Sequence, residues 1–215
     1  MFTATKSVNN PFEKEKNMNF NESTTKTNLA RAFAGECQEG ARYQFMSKMA
    51  IQDQMQFLSD TLKTLAKNEM AHAKVFYDYI IQYSEGNVRD IPIEAGFPFE
   101  MPDLKTSLAE EYRNEVSEAQ NIYPSFARIA KDEGFKEIAK SFSMIAEVES
   151  SHAKMLEYLS TLYNANKLYK RERPTKWKCS SCGHSETAKE GFKQCPLCKL
   201  PQGYIIIDLE KELSL

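Results

Sequence analysis

Two short segments decide the fold: KNEMAHAK at Lys67–Lys74 and EVESSHAK at Glu147–Lys154. Each places a Glu three residues before a His, and the two copies lie 80 positions apart. Residues at i and i+3 share one face of a helix. Two of the three histidines in the chain stand in this E-x-x-H pattern, which makes coincidence a poor explanation. The repeat therefore predicts two similar helices that each bring a Glu–His pair to a shared centre.

Four long helical patterns contain these segments, at residues 26–52, 54–83, 104–132 and 134–163. Short breaks at Asp53 and Gly134 separate the members of each pair, and a longer segment with several prolines separates the two pairs. The first and third helices also repeat, since Glu36 and Glu115 occupy matching places. Short, long and short connections predict a four-helix bundle with a single long crossover. Pro124 lies inside the third helix and should kink it.

Each helix interrupts its apolar face with a carboxylate at mid-length. These residues are Glu36, Glu69, Glu115 and Glu149. An unpaired carboxylate in a core is costly or changes its protonation state, so four of them need a common reason. One Glu from each of two helices plus E-x-x-H from the other two is the pattern of di-iron and di-manganese carboxylate centres. Ion pairing among the helices is the alternative.

Four of the five cysteines form two C-x-x-C pairs, which predict a tetrathiolate metal site. They are Cys179, Cys182, Cys195 and Cys198. Four thiolates accept iron or zinc, so a zinc ribbon is the alternative to an iron centre. A disulfide framework is disfavoured, because the N-terminal segment lacks the apolar region of a secretory signal. Attachment to a di-metal bundle favours iron, since such a centre needs electrons. We expect Cys37 to be a packed small hydrophobe.

The composition excludes several classes of partner. Lys plus Arg number 28 and Asp plus Glu number 30, so the net charge of −2 argues against nucleic acid binding. No stretch approaches the ~18 apolar residues of a membrane span, and we expect a cytoplasmic protein. We divide the chain into an N-terminal tail (1–22), a helical bundle (23–165), a linker (166–176) and a small metal domain (177–215).

Several segments resemble the four-helix domain of rubrerythrins. They are AFAGECQEGARYQF (32–45), KNEMAHAK (67–74), NEVSEAQNIYPSFARIAKDEGF (114–135) and EVESSHAK (147–154). WKCSSCG and CPLCKLPQGY resemble the rubredoxin-like domain of the same family, so the likeness covers about residues 24–215. The resemblance implies a mainly α fold, with a ferritin-like four-helix bundle followed by a small, β-rich rubredoxin-like domain.

The resemblance also implies a ligand set for two irons. Glu69 and Glu149 would bridge the irons, while Glu36 would be a terminal ligand of the first iron. Glu115 and His152 would hold the second iron. A third iron would sit in the four-cysteine site, where zinc remains possible.

Four further side chains are expected to act in catalysis. His72 and Glu118 would exchange at the first iron as its redox state changes, although Glu118 taken alone is also readable as a surface residue. Tyr43 and Tyr123 match tyrosines that hydrogen-bond around the centre, and their alternative role is core packing.

The implied activity is a peroxidase that reduces hydrogen peroxide to water in oxidative-stress defence. Its electrons would pass through the cysteine centre from an external rubredoxin or an NAD(P)H-dependent reductase. From His152 the fourth helix continues for about eleven residues, or about 16 Å, away from the centre. We therefore predict a homodimer or higher homo-oligomer in which one subunit's cysteine centre serves another's bundle. The alternatives are a ferroxidase or oxidase, an iron-storage or iron-binding protein, and a zinc-ribbon interaction module on a helical scaffold.

Overall fold

The computed structural model describes residues 18–86, 88–99 and 102–215. The helices are α1 (Thr24–Gln52), α2 (Gln56–Tyr83), α3 (Leu104–Ser117), α4 (Tyr123–Asp132), α5 (Lys136–Asn164) and α6 (Leu209–Leu213). The strands are β1 (Lys170–Cys179), β2 (Ser185–Glu190) and β3 (Ile205–Ile206). A helical bundle thus precedes a small three-stranded sheet, which confirms the predicted fold class. Most of the expected N-terminal tail, residues 1–17, lies outside the described residues.

The start of α1 is fixed by two polar contacts. The hydroxyl of Ser23 accepts a hydrogen bond from the Lys26 N–H at 3.1 Å, as an N-cap does. The carboxylate of Glu133 accepts the N–H groups of Thr24 and Thr25 at 2.9 and 2.8 Å. Because Glu133 lies at the turn between α4 and α5, these bonds join the start of α1 to that turn.

A π-helical segment at Glu118–Ile122 interrupts the third predicted helix. The Tyr123 N–H donates to the carbonyl of Glu118, five residues back, and Pro124 follows in the first turn of α4. Since proline has no N–H, it cannot continue the α-helical hydrogen bonds, and the chain accommodates one extra residue in the turn. The disturbance that we expected at Pro124 is therefore a π-helical segment directly before it.

The bundle interior contains two apolar clusters separated along the helices by a polar layer. One cluster includes Phe76, Tyr123 and Phe142. The other includes Leu62 and Leu156 and continues into the small domain. On α1, α2 and α5, the charged positions of the repeat fall between the residues of one cluster and those of the other. The fold thus places the predicted ligands at mid-height in the bundle.

The small sheet has the order β2-β1-β3 with antiparallel pairs. Its central strand begins at Lys170, inside the range expected to be a linker, and the division into domains remains a proposal. A Cβ at Gly203 would overlap the Gln54 carbonyl oxygen in the α1–α2 turn, so only glycine permits this approach. Arg171 stacks on Trp177 of the sheet and on Tyr158 of α5, with 5.2 and 5.4 Å to the ring centroids. The sheet is therefore docked on the bundle.

Within the described residues, no helix combines the length and the apolarity that a membrane crossing would need.

Candidate metal centres

The polar layer consists of six almost fully buried side chains and one that is slightly more exposed. The buried residues are Glu36, Glu69, Glu115, Glu118, Glu149 and His152. The side chain of His72 is 12% exposed. Ionisable groups are rarely buried without partners, so their concentration in one layer marks this region as the candidate site.

The first set of potential ligands surrounds Nδ1 of His72. This nitrogen lies 3.4 Å from Glu36 Oε2, 3.1 Å from Glu69 Oε2 and 2.9 Å from Glu149 Oε1. The four ligand atoms all lie within 4.8 Å of one another. Such a cluster of carboxylate oxygens and one imidazole nitrogen can hold an iron ion.

The second set surrounds Nδ1 of His152. Here the distances are 3.2 Å to Glu69 Oε1, 3.6 Å to Glu115 Oε2 and 2.8 Å to Glu149 Oε2. Glu69 and Glu149 therefore direct one oxygen to each histidine. Both carboxylates therefore belong to both sets.

Whether metal ions fit these sets is tested by the hydrogen-bond partners of the ligand atoms. The buried atoms without a hydrogen-bond partner include Glu36 Oε2, both oxygens of Glu69 and Glu149, Glu115 Oε2, and Nδ1 of His72 and His152. Buried polar atoms are normally hydrogen-bonded, so this convergence calls for another kind of partner. Two cations provide it, and the donor chemistry fits a di-iron centre.

Two tyrosines orient the carboxylates of Glu36 and Glu115. The hydroxyl of Tyr123 donates to Glu36 Oε1, and the hydroxyl of Tyr43 donates to Glu115 Oε1. In each carboxylate, one oxygen is held by the phenol and the other faces the centre. Both tyrosines are buried, so they also pack in the core.

Glu118 lies beside the first set, not within it. Its side chain is buried and its Oε2 has no hydrogen-bond partner, yet His72 occupies the place in the four-residue set. Burial raises the pKa of Glu118 well above its usual range, and the charge of Glu36 raises this pKa further. The π segment begins at Glu118, so this carboxylate stands where the helix changes its hydrogen-bond register.

The electrostatics of the layer show an excess of negative charge. Burial raises the pKa of Glu36 to about 8 against the opposing effect of the nearby His72 imidazole, and burial also raises the pKa of Glu115 well above its usual range. Burial acts to lower the pKa of His72, but the surrounding carboxylates outweigh it and raise that pKa to about 12. The pKa of His152 is raised for the same reasons. For Glu149, burial is outweighed by the two histidines, and its pKa falls to about 2.

Sequence reasoning missed a buried ion-pair network next to the layer. Arg42 Nε donates to Glu111 Oε1 at 2.6 Å, and Arg42 Nη2 lies 3.3 Å from Glu111 Oε2 and from Glu39 Oε1. All three side chains are buried. The available signal was spacing, since Glu39 and Arg42 share a helix face and Glu111 precedes Glu115 by one turn. Asn68, which contacts His152, was also missed.

The four cysteines of the small domain converge on one point. Cys179 Sγ is 3.6 Å from Cys198 Sγ, and Cys182 Sγ is 3.5 Å from Cys195 Sγ. All four sulfurs lie within 4.8 Å of one another, and the cysteines are free of disulfides. The geometry fits a rubredoxin-like iron site.

The two cysteine turns have the same backbone form. The N–H of Gly183 donates to the Cys179 carbonyl and the N–H of Lys199 donates to the Cys195 carbonyl, both at 3.0 Å. Both residues have positive φ values, 77° and 64°. Cys37 is half-buried on α1 and belongs to no ligand set among the described residues.

Comparisons with known proteins agree with this arrangement. The sequence profile of the rubrerythrin family matches residues 27–160. Rubrerythrin-1 of Clostridium acetobutylicum is 38% identical over 186 residues, which cover 85% of this chain and 93% of the relative. Rubrerythrin of Clostridium perfringens is 36% identical over 181 residues, with 84% and 92% coverage.

A solved structure of nigerythrin in a partially reduced state has the same fold, with a TM-score of 0.57 and 22% identity. The aligned region covers 94% of this chain and 99% of nigerythrin. The four-helix bundle with its carboxylate–histidine sets, the four-cysteine site and the family match thus lead to one conclusion. The chain belongs to the rubrerythrin family of oxidoreductases, with a di-iron centre in its bundle and a rubredoxin-like iron centre at its C-terminal end.

Proposed function

We propose that this chain is a non-haem di-iron peroxidase that reduces hydrogen peroxide to two waters in oxidative-stress defence. The reaction consumes two electrons and two protons. The observation that carries the proposal is the pair of buried ligand sets that share Glu69 and Glu149, with an additional carboxylate, Glu118, beside the first set.

The distances between the ligand atoms support the following ligand roles. Glu69 and Glu149 would bridge, Glu36 and His72 would complete the first site, and Glu115 and His152 would complete the second. When bound, the two ferrous ions supply the two electrons that the reduction of peroxide consumes. Carboxylate oxygens suit this chemistry, because hard ligands stabilise the ferric product.

We assign Glu118 and His72 a ligand exchange. As positive charge builds at the first site, Glu118 would enter the set and His72 would withdraw. The physical reason is charge matching, since a carboxylate is an anion and a ligating imidazole is neutral. Glu118 starts close to the site and buried, and His72 is the more exposed of the two histidines.

Tyr43 and Tyr123 act by positioning. Each phenol holds one oxygen of a terminal carboxylate, which fixes the direction of the other oxygen during the exchange. Burial raises the pKa of both phenols well above the usual value, so both retain their protons and remain donors at neutral pH.

The remaining parts of the proposal concern electrons and assembly. Electrons would enter the cysteine centre from a rubredoxin or an NAD(P)H-dependent reductase. We further propose a cytoplasmic homo-oligomer in which this centre serves the bundle of a second subunit. Full activity of a monomer at working concentration would contradict the oligomer.

The principal experiment is anaerobic purification, metal analysis and reduction, followed by mixing with peroxide or with air-saturated buffer. We expect about three irons per chain, two from the carboxylate–histidine sets and one from the cysteine site. Peroxide should oxidise the reduced centres faster than dioxygen does. Faster oxidation by dioxygen would indicate an oxidase, and a bundle that binds no iron would overturn the proposal.

Glu118→Ala tests the exchange. The variant should retain two irons in the bundle, because the two four-residue sets do not include Glu118, while peroxide turnover should fall by about 10–100-fold. Glu147→Ala removes an exposed carboxylate from α5 and is the matched control, with unchanged turnover expected. Unchanged turnover in Glu118→Ala would refute the exchange and leave the di-iron assignment intact.

A further inference from the structure

The two histidines of the polar layer differ at their outer nitrogens. Nε2 of His152 lies 3.2 Å from Nδ2 of Asn68, a half-buried residue on α2. Nε2 of His72 has no hydrogen-bond partner in the part of the chain that the structure describes. One ring is therefore held at both nitrogens, and the other is held at Nδ1 alone.

The internal repeat shows that the sequence itself encodes this difference. Asn68 directly precedes Glu69, and the residue 80 positions later, directly before Glu149, is Val148. Val148 is therefore the counterpart of Asn68 in the repeat. It is 38% exposed and lines the same cleft as Asn68 and His152. Valine has no polar atom in its side chain, so it cannot hold an imidazole nitrogen.

The tautomer of His152 fixes what Asn68 must provide. Nδ1 faces the oxygens of Glu69 and Glu149, so Nδ1 is the atom that would bind a metal. An imidazole that ligates through Nδ1 carries its proton on Nε2 and needs an acceptor there. Rotating the Asn68 side-chain amide by 180° exchanges Nδ2 for Oδ1 at the same 3.2 Å position and supplies that acceptor.

We propose that Asn68 is a positioning residue that holds His152 as a permanent ligand, and that its replacement by Val148 in the repeat leaves His72 as the histidine able to withdraw. The inference rests on the ligand roles proposed above. It explains why an exchange would occur at one metal position only, although the ligand sets are nearly symmetric. The outer hydrogen bond thus adds to two other differences between the positions, which are Glu118 beside the first set and the greater exposure of His72.

The setting of Asn68 limits the size of the effect. Asn68 and His152 line a cleft of about 470 Å³, whose lining also includes Ile207–Leu209 of the same chain. Water in this cleft could accept the Nε2 proton when the amide is absent, but it would not fix the ring. We therefore expect about a tenfold loss of metal affinity at the second site, the lower end of the range for such residues.

The direct test is ¹⁵N NMR of the histidine side chains in the full chain loaded with Zn²⁺. In the wild type, the Nε2 proton of His152 should exchange slowly with solvent and that of His72 rapidly. Asn68→Val should make the His152 proton exchange rapidly, and Val148→Asn should slow the exchange at His72. Each of these two substitutions places at one position the residue that the repeat has at the equivalent position.

Chelator competition with Zn²⁺ gives the second readout. Asn68→Val should weaken the second bundle site about tenfold. Asn68→Asp should bind as the wild type or more tightly, since a carboxylate accepts from Nε2 but cannot donate. Thr64→Asp adds the same charge one turn earlier on the same cleft wall, and in the Asn68→Val background it should not restore affinity.

The outcomes separate this inference from the proposed function. If Asn68→Asp behaves like Asn68→Val, the amide acts as a donor and the inference is wrong. It is also wrong if neither substitution changes the affinity or the exchange of the His152 proton. Because both readouts use Zn²⁺ alone, they require no peroxide turnover, whereas failure of the wild-type bundle to bind iron would overturn the proposed function.

Discussion

Metal loading of the bundle should release about three protons per chain at pH 7. With a pKa of about 8, Glu36 is about 90% protonated at that pH in the metal-free protein. His72, with a pKa of about 12, is fully protonated, and His152 is shifted in the same direction. Metal ligation requires a carboxylate and neutral imidazoles, so these protons must leave. Burial also raises the pKa of Glu115, a member of the second set, so three protons is the minimum expected release.

The same three groups with ordinary pKa values would release only about 0.5 proton together, which makes the prediction discriminating. The assay is calorimetric titration with Zn²⁺ in buffers of different ionisation enthalpy, after the cysteine site has been filled with a first equivalent. Glu36→Gln should lower the release by about one proton. His184→Gln, which removes the histidine outside the bundle, is the control. A wild-type release near 0.5, or no change in Glu36→Gln, would refute the reasoning.

The same shifts set the pH dependence of the metal-free fold. Glu36 and His72 bind protons more tightly in the folded than in the unfolded chain. Their contribution to stability is fully present below pH 4.5 and 6.5, respectively, and is lost as the pH rises through about 8 and about 12. The stabilising contribution of Glu149 has the opposite pH dependence, since it is present above pH 4.5 and lost as the pH falls through about 2. The melting temperature of the metal-free chain should therefore fall between pH 5 and 9, more steeply than that of the loaded chain.

Three further substitutions test other contacts. Gly203→Ala forces a Cβ against the Gln54 carbonyl and should destabilise the docked sheet by about 1–3 kcal/mol, measured by urea unfolding and limited proteolysis. Arg42→Met leaves Glu111 buried without its cation and should cost about 3–5 kcal/mol, and a cost below about 1 kcal/mol would contradict that account. Cys182→Ser should remove the metal from the cysteine site while metal analysis still finds two ions in the bundle.

The sequence predicts the bundle and both candidate sites because these features leave periodic signals. Glu69 and Glu149 stand out as charges on apolar helix faces that repeat, and the cysteine pairs stand out by spacing alone. The roles assigned to these residues remain proposals. The features that the sequence does not predict are those that depend on contacts between helices or between the bundle and the small sheet.

Three examples show the physical reason. Asn68 is an ordinary half-buried helix residue until α5 brings His152 to it. Pro124 signals a disturbance, but the sequence does not show that it takes the form of a π segment, with Glu118 and Tyr123 both buried. The docking at Gly203 depends on a turn far away in the sequence.

The polar layer has a consequence for cooperativity. It divides the bundle's apolar interior into two clusters, so each half has its own apolar core, while the midplane contains buried ionisable groups instead of apolar contacts. Bound cations would join the halves into one unit, because a single ion contacts ligands from several helices. Stripping the metal should therefore uncouple the two ends, so that the end near Phe142 and the end near Leu156 open to hydrogen exchange independently.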